Sequence, residues 1–421
     1  MKYYKFLIMI ILSGLIVSGL NPLPGNSPVR AETEPVVQTD SVNRLSGAIN
    51  EFGFDLLKEL SSAESHDNVF TSPVSVHLAL EMTYMGAEGK TEKEMKDALK
   101  IDELEKCEAA ALANRLMDQL GRSPDSNVDL ANSIWAREGL PFKKVFLEIG
   151  EDLFDARVLE LDFSSQKAVK TINEWVKANT GGKIDRIVKQ LNPLDVMVLL
   201  NAIYFEAPWS EQFKEENTEE GPFYLEAGSQ KDLPMMSQSG SFRFLKTEDF
   251  KLIRLPYGKT ESLAAYILLP EEKFGLRELT DRITGKSWKS WLSRLSQSRG
   301  RIVLPRFELS YEKELNEPLK DLGMELAFDR TRADLTGIID LPTQNAYISK
   351  VRHKTLLEVT EQGTKAAGAT SVKIGLTSLG PSEDSFNMVV DHPFLFAIRD
   401  EKSGALLFLG NIRNPRKVGK N

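Results

Sequence analysis

The side chains that could carry catalysis in this chain are few and scattered. Cys107 is the only cysteine, and the four histidines are His66, His77, His353 and His392. A thiol nucleophile needs a base and an oxyanion site, but Cys107 lies in a helical pattern beside two glutamates that disfavour a thiolate. The histidines show no metal-ligand spacing such as His-x-x-x-His. We expect neither a catalytic cysteine nor a zinc or copper site.

Motifs for phosphate binding and hydrolysis are also absent from the sequence. It contains no Gly-x-x-x-x-Gly-Lys-Ser/Thr loop and no Gly-x-Ser-x-Gly elbow. The carboxylate pairs Glu215-Glu216 and Glu219-Glu220 stand in a polar run that is typical of a solvated face. We therefore predict a protein that is not an enzyme and needs no metal or cofactor.

The most informative stretch begins at Glu361 and has the pattern of a strand where a surface loop is expected. From Thr364 onward alternate residues are small or apolar, which is the period of a half-buried strand. The small residues from Ala366 to Ala369 are poor strand formers, so this segment should not nucleate a sheet but could join one. Taken alone, the same residues also fit a short helix or a mobile linker.

Composition places the chain among soluble globular proteins. It has 421 residues, 41% of them hydrophobic and 27% charged, which is enough for a large core. The net charge of −8 argues against nucleic acid as a partner, because no basic stripe offsets it. A single cysteine excludes an internal disulfide, so stability must come from the core.

The first residues have the pattern of a secretory signal peptide. Two lysines within Met1–Lys5 precede an apolar run, Phe6–Leu20, that is short for a membrane span. We assign residues 1–31 to this peptide, with cleavage after Ala31 or nearer Gly19, and residues 32–41 to a linker. An uncleaved anchor is the alternative, and no cysteine follows the apolar run to carry a lipid. We expect a secreted or extracytoplasmic protein.

Helical patterns dominate the first half of the chain and strand patterns the second. The helical patterns cover Leu45–Leu60, Leu78–Ala98, Leu104–Leu120 and Val169–Thr180. The clearest buried strands are Val196–Phe205, Leu263–Pro270 and Gly404–Gly410. No linker-like break appears after residue 42, which predicts one large α+β domain with antiparallel sheets in its second half.

Seven motifs, taken in order, resemble the serpin pattern over roughly residues 42–417. They are Asn68–Ser75, Leu200–Phe205, Leu304–Phe307, Leu322–Met324, Ala333–Ile338, Asp391–Phe394 and Gly410–Pro415. The resemblance implies a fold of three β-sheets and eight or nine helices with an exposed reactive-centre loop. It also implies a suicide mechanism, in which a serine protease cleaves the loop and is trapped as an acyl-enzyme while the loop inserts into the main sheet.

The resemblance assigns the hinge of this loop to residues that inhibitory serpins keep small. The matching hinge residues are Glu361, Gly363, Thr364, Ala366, Ala367, Gly368, Ala369 and Thr370. Lys365 falls on the outward side of the strand pattern, where a charge is harmless. The resemblance therefore implies inhibitory activity, and a non-inhibitory carrier, chaperone or storage protein is the alternative. An exported hydrolase is a third possibility, but the chain has neither a nucleophile elbow nor a metal-binding motif.

Family spacing places the reactive bond between Thr377 and Ser378. A small β-branched residue before the bond suits elastase-like or subtilisin-like proteases and argues against trypsin-like ones. A cut one residue earlier would make Leu376 the specificity residue and a chymotrypsin-like target plausible. The segment from Thr377 to Phe394 is a residue or two longer than is usual, which leaves both positions open.

Five residues match the region where the family's main sheet parts to admit the loop: Ser72, Ser75, Asn201, His353 and Trp209. The first four match a polar cluster under the sheet and the last a tryptophan near its upper end. At that end Glu206-Ala207 replaces the Lys-Gly that is usual in the family.

The stretch Lys100–Leu120 matches the heparin-binding helix of some serpins. It is acidic and apolar here, so we expect no heparin dependence. We also expect a monomer.

Overall fold

The computed structural model describes residues 35–64, 66–122, 125–226, 228–339, 341, 345–364 and 385–418. The predicted signal peptide and most of the predicted loop, including the Thr377–Ser378 bond, lie outside these residues. Internal contacts divide the chain into residues 1–37 and residues 38–421. The fold below is that of the second unit.

The described residues contain nine α-helices. They are α1 (Pro35–Ala63), α2 (Pro73–Tyr84), α3 (Gly89–Ala98), α4 (Lys106–Leu120), α5 (Lys144–Phe154), α6 (Gln166–Ala178), α7 (Leu276–Arg282), α8 (Gly285–Ser293) and α9 (Asn316–Asp321). Two short 3-10 helices cover Glu215–Asn217 and Leu326–Phe328.

Helix α2 shows how local sequence sets the helix boundaries. Ser72 caps its first turn by accepting a hydrogen bond from the Ser75 amide at 3.3 Å, and Pro73 takes the first helical position. The predicted single pattern Leu78–Ala98 is instead divided between α2 and α3. Gly86 lies in the break, where a Cβ atom would come within 2.2 Å of the Ile338 side chain. The break thus follows from a long-range contact that periodicity does not reveal.

The described residues also contain fifteen β-strands, which alternate with the helices along the chain and form two hydrogen-bonded assemblies. They are β1 (Val69–Thr71), β2 (Asn127–Arg137), β3 (Arg157–Leu161), β4 (Met197–Pro208), β5 (Thr218–Tyr224), β6 (Gln230–Lys246), β7 (Phe250–Tyr257), β8 (Leu263–Pro270), β9 (Ser296–Pro305), β10 (Phe307–Glu314), β11 (Lys350–Val359), β12 (Gly363–Thr364), β13 (Phe386–Val389), β14 (Phe394–Asp400) and β15 (Leu406–Ile412).

One assembly is a six-stranded sheet in the order β10-β11-β12-β4-β2-β3, in which β11 also pairs directly with β4. The other has nine strands and divides at the long strand β6. The first residues of β6 pair with β5, its last residues pair with β7, and β9 pairs along most of its length. The strands therefore form three groups, and the predicted α+β architecture is confirmed.

Helix α2 is the centre of the core. All twelve of its residues are buried, because the helix contacts β4 and β2 of the six-stranded sheet and β15 of the nine-stranded assembly. A helix that is buried all round carries few polar residues unless they are bonded to partners. The polar side chains near its first turn must therefore find those partners in the sheet above.

Candidate functional site

The upper end of the six-stranded sheet is parted by the short strand β12. Strands β4 and β11 pair directly in parallel over 198–203 and 350–355. Beyond that stretch β12 lies between them, with Thr364 opposite both Ala207 of β4 and Val359 of β11. Strand β12 runs antiparallel to both neighbours, so the chain that follows Thr364 heads toward the paired stretch.

Gly363 fits its position because no side chain could replace its hydrogen atom there. A Cβ atom would lie 2.2 Å from the carbonyl oxygen of Ala207 and 2.6 Å from Cα of Pro208. The turn before it is closed by a hydrogen bond from the Thr360 amide to the Gly363 carbonyl at 2.9 Å. The Trp209 amide donates to the Gln362 carbonyl at 3.0 Å, which fixes the turn against β4.

Thr364 is held in a buried aromatic site. Its Oγ1 atom lies 2.7 Å from the hydroxyl oxygen of Tyr257, and both residues are buried. The Tyr257 ring stacks on Trp209 with centroids 4.4 Å apart and meets Phe205 edge-on at 5.2 Å. Burial raises the pKa of Tyr257, while the Thr364 hydrogen bond lowers it by less. The phenol therefore stays neutral and available as a hydrogen-bond partner.

Glu361 anchors the other end of the same turn. It is 3% exposed, and its carboxylate accepts a hydrogen bond from the Thr218 hydroxyl at 2.8 Å. The Arg306 guanidinium approaches the same oxygen at 3.5 Å, and the Phe213 amide donates to the Glu361 carbonyl at 2.9 Å. A buried carboxylate is tolerated only when it is paired and hydrogen-bonded, as here.

A polar cluster lies beneath the paired stretch of β4 and β11. Asn201 and His353 are directly opposite each other, and His353 Nδ1 lies 2.5 Å from Asn201 Oδ1. The Ser72 amide donates to His353 Nε2 at 3.1 Å. The Asn201 amide group donates to Ser75 and, at 2.6 Å, to Asn132 of β2. The cluster thus links the first turn of α2 to three strands of the sheet.

The hydrogen bonds of His353 fit a neutral imidazole. Because Asn201 Oδ1 can only accept, Nδ1 carries the proton, and Nε2 offers its lone pair to the Ser72 amide. Burial lowers the pKa of His353 to about 3, since the charged form would lose its hydration. The ring therefore serves as a fixed bridge between helix and sheet over the neutral pH range.

The outer face of the same strands is covered by the segment 180–191, which follows α6. Ile184, Ile187 and Val188 are buried in a cluster with residues of β2 and β4. Strand β11 is bonded to this segment through Lys354 Nζ, which donates to the Arg186 carbonyl at 2.7 Å. The boundary between β4 and β11 is therefore tied on both faces of the sheet.

The structure places the predicted sheet-opening residues in two groups. Ser72, Ser75, Asn201 and His353 form the polar cluster, whereas Trp209 lies at β12 beside Tyr257. Of the predicted hinge, Glu361, Gly363 and Thr364 are described, and the other five residues lie outside the described residues. The reactive bond lies outside them too.

Sequence reasoning missed three residues of these two groups. Asn132 belongs to the polar cluster, and its signal was a polar residue on the inward side of β2 between Leu130 and Ile134. Tyr257 and Arg306 reach the turn at β12 only through long-range packing. Arg306 stands in the motif Leu304–Phe307, but no local pattern in the sequence shows that it or Tyr257 contacts this turn.

Other kinds of site find no support in the part of the chain that the structure describes. It holds no group of three or more His, Cys, Asp or Glu side chains that could bind a metal ion. Cys107 is exposed on α4. None of the described helices combines the length and the apolar character that crossing a membrane requires.

Comparison with known proteins identifies a family over most of the chain. The family model described as Serpin (serine protease inhibitor) matches residues 47–415. The leukocyte elastase inhibitor of Bos taurus is 34% identical over 386 residues, which cover 89% of this chain and all of that protein. Among solved structures, the thermophilic serpin tengpin in its native state superposes with a TM-score of 0.81 at 30% identity, covering 94% of this chain and 97% of its own. Human thyroxine-binding globulin gives 0.82 at 26% identity, covering 90% and 100%.

Proposed function

Because this chain belongs to the serpin family, whose members are generally protease inhibitors with a suicide mechanism, we propose that it is a suicide-substrate inhibitor of serine endopeptidases. The catalytic serine of the protease attacks the carbonyl carbon of Thr377, the bond to the Ser378 nitrogen breaks, and an ester joins the two proteins. The freed loop then inserts between β4 and β11 before water hydrolyses the ester. The protein itself is consumed and is not an enzyme.

The observation that supports this proposal is the position of β12 at the parted end of the sheet. Thr364 already lies opposite Ala207 and Val359. If the strand continues in the same register, the residue six places further along the loop, Thr370, reaches the residues six places lower on both strands. Those residues are Asn201 and His353, which are each other's partners in the closed sheet.

Insertion would replace the central hydrogen bond of the polar cluster. A new strand separates β4 from β11 by a further 4.8 Å or so, and the 2.5 Å contact between Asn201 and His353 cannot span that gap. The hydroxyl of Thr370 can both donate and accept a hydrogen bond. It could therefore bond with both residues and restore the cluster around the inserted strand.

The same register explains why the predicted hinge residues are small. Ala366 would lie opposite Phe205 and Leu357, and Gly368 opposite Ile203 and Thr355. These four strand residues are 1% exposed or less on the face toward the core. Large or charged side chains at 366 and 368 would slow insertion because they would have to enter a packed core.

We propose an elastase-like or subtilisin-like target, with a chymotrypsin-like target if Leu376 precedes the cut. The relation to a leukocyte elastase inhibitor is compatible with this class. We further propose secretion through the N-terminal signal peptide, a monomeric state and no acceleration by heparin. Helix α4, which matches the heparin-binding stretch of some serpins, bears one lysine and one arginine beside two acidic residues.

The proposed function is tested by mixing the mature protein with elastase-like, subtilisin-like, chymotrypsin-like and trypsin-like proteases. We expect a covalent complex on a denaturing gel with at least one of the first three, and a released peptide that begins at Ser378. Heparin should leave the rate unchanged. Cleavage by every enzyme without a complex would contradict the proposal and favour a carrier function, such as the fold neighbour thyroxine-binding globulin suggests.

A further inference from the structure

The exposed residues of β6 from 239 to 243 and of β9 from 297 to 301 include three arginines and no carboxylate. We call this surface the arginine face, and its residues are Ser239, Ser241, Arg243, Gln297, Arg299 and Arg301. All six are exposed. The whole chain has a net charge of −8, whereas every charged residue of this surface is positive.

The register of the two strands brings the three arginines close together. Ser241 lies opposite Arg299, and Ser239 lies opposite Arg301, so these two arginines are successive residues on one face. Arg243 lies opposite Gln297 and is the diagonal neighbour of Arg299, at about 7–8 Å between backbones. None of the three arginines forms an ion pair with another residue that the structure describes.

Among the side chains that the structure describes beside Arg243, no carboxylate is left without a partner that could neutralise the arginine face. Arg243 also lines a cavity of about 440 Å³ that contains Glu261 and Glu401. Both carboxylates are already engaged there, because Arg254 pairs with Glu261 at 3.3 Å and with Glu401 at 3.0 Å, and Arg399 pairs with Glu401 at 2.7 Å. The face and this cavity together keep a positive balance.

The opposite face of the same strands makes the arginine face rigid. Phe386 of β13 stacks on Phe244 at 3.9 Å and meets Phe242 edge-on at 5.9 Å. It packs over Gly300, where a Cβ atom would lie 2.4 Å from the Phe386 ring. The arginines therefore project from a packed three-stranded region and not from a loop, which lowers the entropy lost when they bind a partner.

The arginine face adjoins the point where the predicted reactive loop rejoins the fold. Strand β13 pairs with β9, and its Asn387 lies opposite Arg301. Only the residues from Ser378 to Ser385 separate the proposed reactive bond from this strand, and eight residues span at most about 28 Å. A protease bound at that bond is therefore held within about 28 Å of the start of β13, a distance that a globular enzyme can span.

We propose that the arginine face is a docking surface for the target protease and that it selects proteases with acidic surface beside the active-site cleft. This inference rests on the proposed inhibitory function. The arginines would attract such an enzyme against the net negative charge of the rest of the chain and align it with the loop, which raises the association rate. Proteases with basic surface at the same place are disfavoured.

The test compares association rates of two proteases that both accept Thr or Leu before the cut, one acidic and one basic. The variant Arg299→Glu/Arg301→Glu should react roughly ten times more slowly with the acidic enzyme at low salt. It should react faster with the basic one, and both differences should shrink as salt screens the charges. The neutral variant Arg299→Gln/Arg301→Gln should give intermediate rates, and it covers the case in which charge reversal disturbs the sheet.

The matched control is Lys90→Glu/Lys93→Glu, which makes the same charge change at exposed positions of α3. Helix α3 packs on α2 and on residues 326–328, and its substitution should leave the selectivity between the two proteases unchanged. Equal losses in the control and in the arginine variant would overturn the proposal, because the effect would then be one of net charge alone.

Binding to proteases whose catalytic serine is replaced by alanine tests the docking surface separately from the proposed inhibitory function. Salt-sensitive binding that depends on Arg299 and Arg301, without a covalent complex from the active enzymes, would support the surface and contradict suicide inhibition. Complex formation at rates that the arginine variants do not change would overturn the surface alone. If those variants instead lose only retention on immobilised heparin, the face binds a polyanion and the proposal is wrong. No binding by any enzyme would overturn both proposals.

Discussion

The two halves of the boundary between β4 and β11 differ in what lies between the strands. In the lower half the strands pair directly, and the bond between Asn201 and His353 joins them. In the upper half β12 lies between them, and Thr364 is fixed to Tyr257 in a buried site. One sheet therefore holds a closed and an opened segment of the same boundary.

The comparison shows where resistance to further opening is concentrated. Above Ile203 the strands have already moved apart, so a strand that extends β12 meets paired hydrogen bonds first and the polar cluster soon after. A buried network of this kind is costly to break because each lost partner leaves an unsatisfied group. The proposed mechanism depends on replacing that network, and the predictions below alter one half of the boundary at a time.

The largest effect is expected from Thr370→Arg, which would place a charge in the row of Asn201 and His353, within the closed half of the boundary. The side chain would have to enter the buried site between Asn201 and His353, so insertion should stall and water should hydrolyse the ester first. We predict that the number of inhibitor molecules consumed per trapped protease rises by about tenfold or more. Thr370→Ser keeps the hydroxyl and should behave like the unmodified protein. Normal trapping of the protease by Thr370→Arg would rule out this register.

The next effect concerns the closed half alone. The variant Asn201→Ala removes the partner of His353, Ser75 and Asn132 at once and leaves buried polar groups unsatisfied. We predict a loss of about 2–4 kcal/mol in the free energy of unfolding, measured by urea denaturation. The exposed substitution Asn387→Ala is the control and should change it by less than about 0.5 kcal/mol. Equal stability of both variants would refute the importance of the cluster.

The pH dependence of the free energy of unfolding tests the same polar cluster without a substitution in it. Since the folded-state pKa of His353 is about 3, below the ordinary 6.5, the unfolded chain binds the proton more readily between these values. The neutral His353 therefore contributes its full share to the free energy of unfolding above pH 6.5, and this contribution is lost as the pH falls toward 3. Between pH 7 and pH 4 we predict a loss of about 3 kcal/mol from this group.

His353→Gln, which takes up no proton, supplies the comparison for that measurement. Its free energy of unfolding should be less sensitive to pH than that of the unmodified protein over the same range. Parallel pH profiles for the two proteins would contradict a buried neutral imidazole.

The smallest effect is expected in the opened half. Thr364→Val keeps the shape of the side chain but removes the hydrogen bond to Tyr257. We predict a cost of about 1 kcal/mol, measured by thermal unfolding. Tyr257→Phe removes the same bond from the other side. The double variant should cost little more than either single one, whereas additive losses would show that the two hydroxyls do not interact.

The sequence was enough to predict four residues of the polar cluster, but not that β12 already parts one end of the sheet. Ser72, Ser75 and Asn201 could be named because they stand in motifs that resemble the family's, and His353 because its position matches the family's polar cluster. The structure shows how these residues are connected. The residues at the start of α2 lie beneath the paired strands β4 and β11, and the Ser72 amide donates a hydrogen bond to His353. The strand positions of Val196–Phe205 and Leu263–Pro270 were predictable for a simpler reason, since buried strands are continuous apolar runs.

Sequence reasoning could not show that Gly363 and Thr364 already form a strand. Two residues are too few to carry a period. The strand is held by Tyr257, which bonds Thr364, and by Trp209 and Arg306, which bond the turn before it. These contacts join parts of the chain that are far apart in sequence. For the same reason the sequence did not reveal the arginine face, which appears only when β6 and β9 are placed in register.

A crystal structure of the protein after a protease has cut its loop would test the proposed insertion most directly. We predict a new strand between β4 and β11 along the whole of their paired stretch, with Thr370 in the row of Asn201 and His353. Strands β4 and β11 that remain paired in the cleaved protein, with the hydrogen bond between Asn201 and His353 intact, would contradict it.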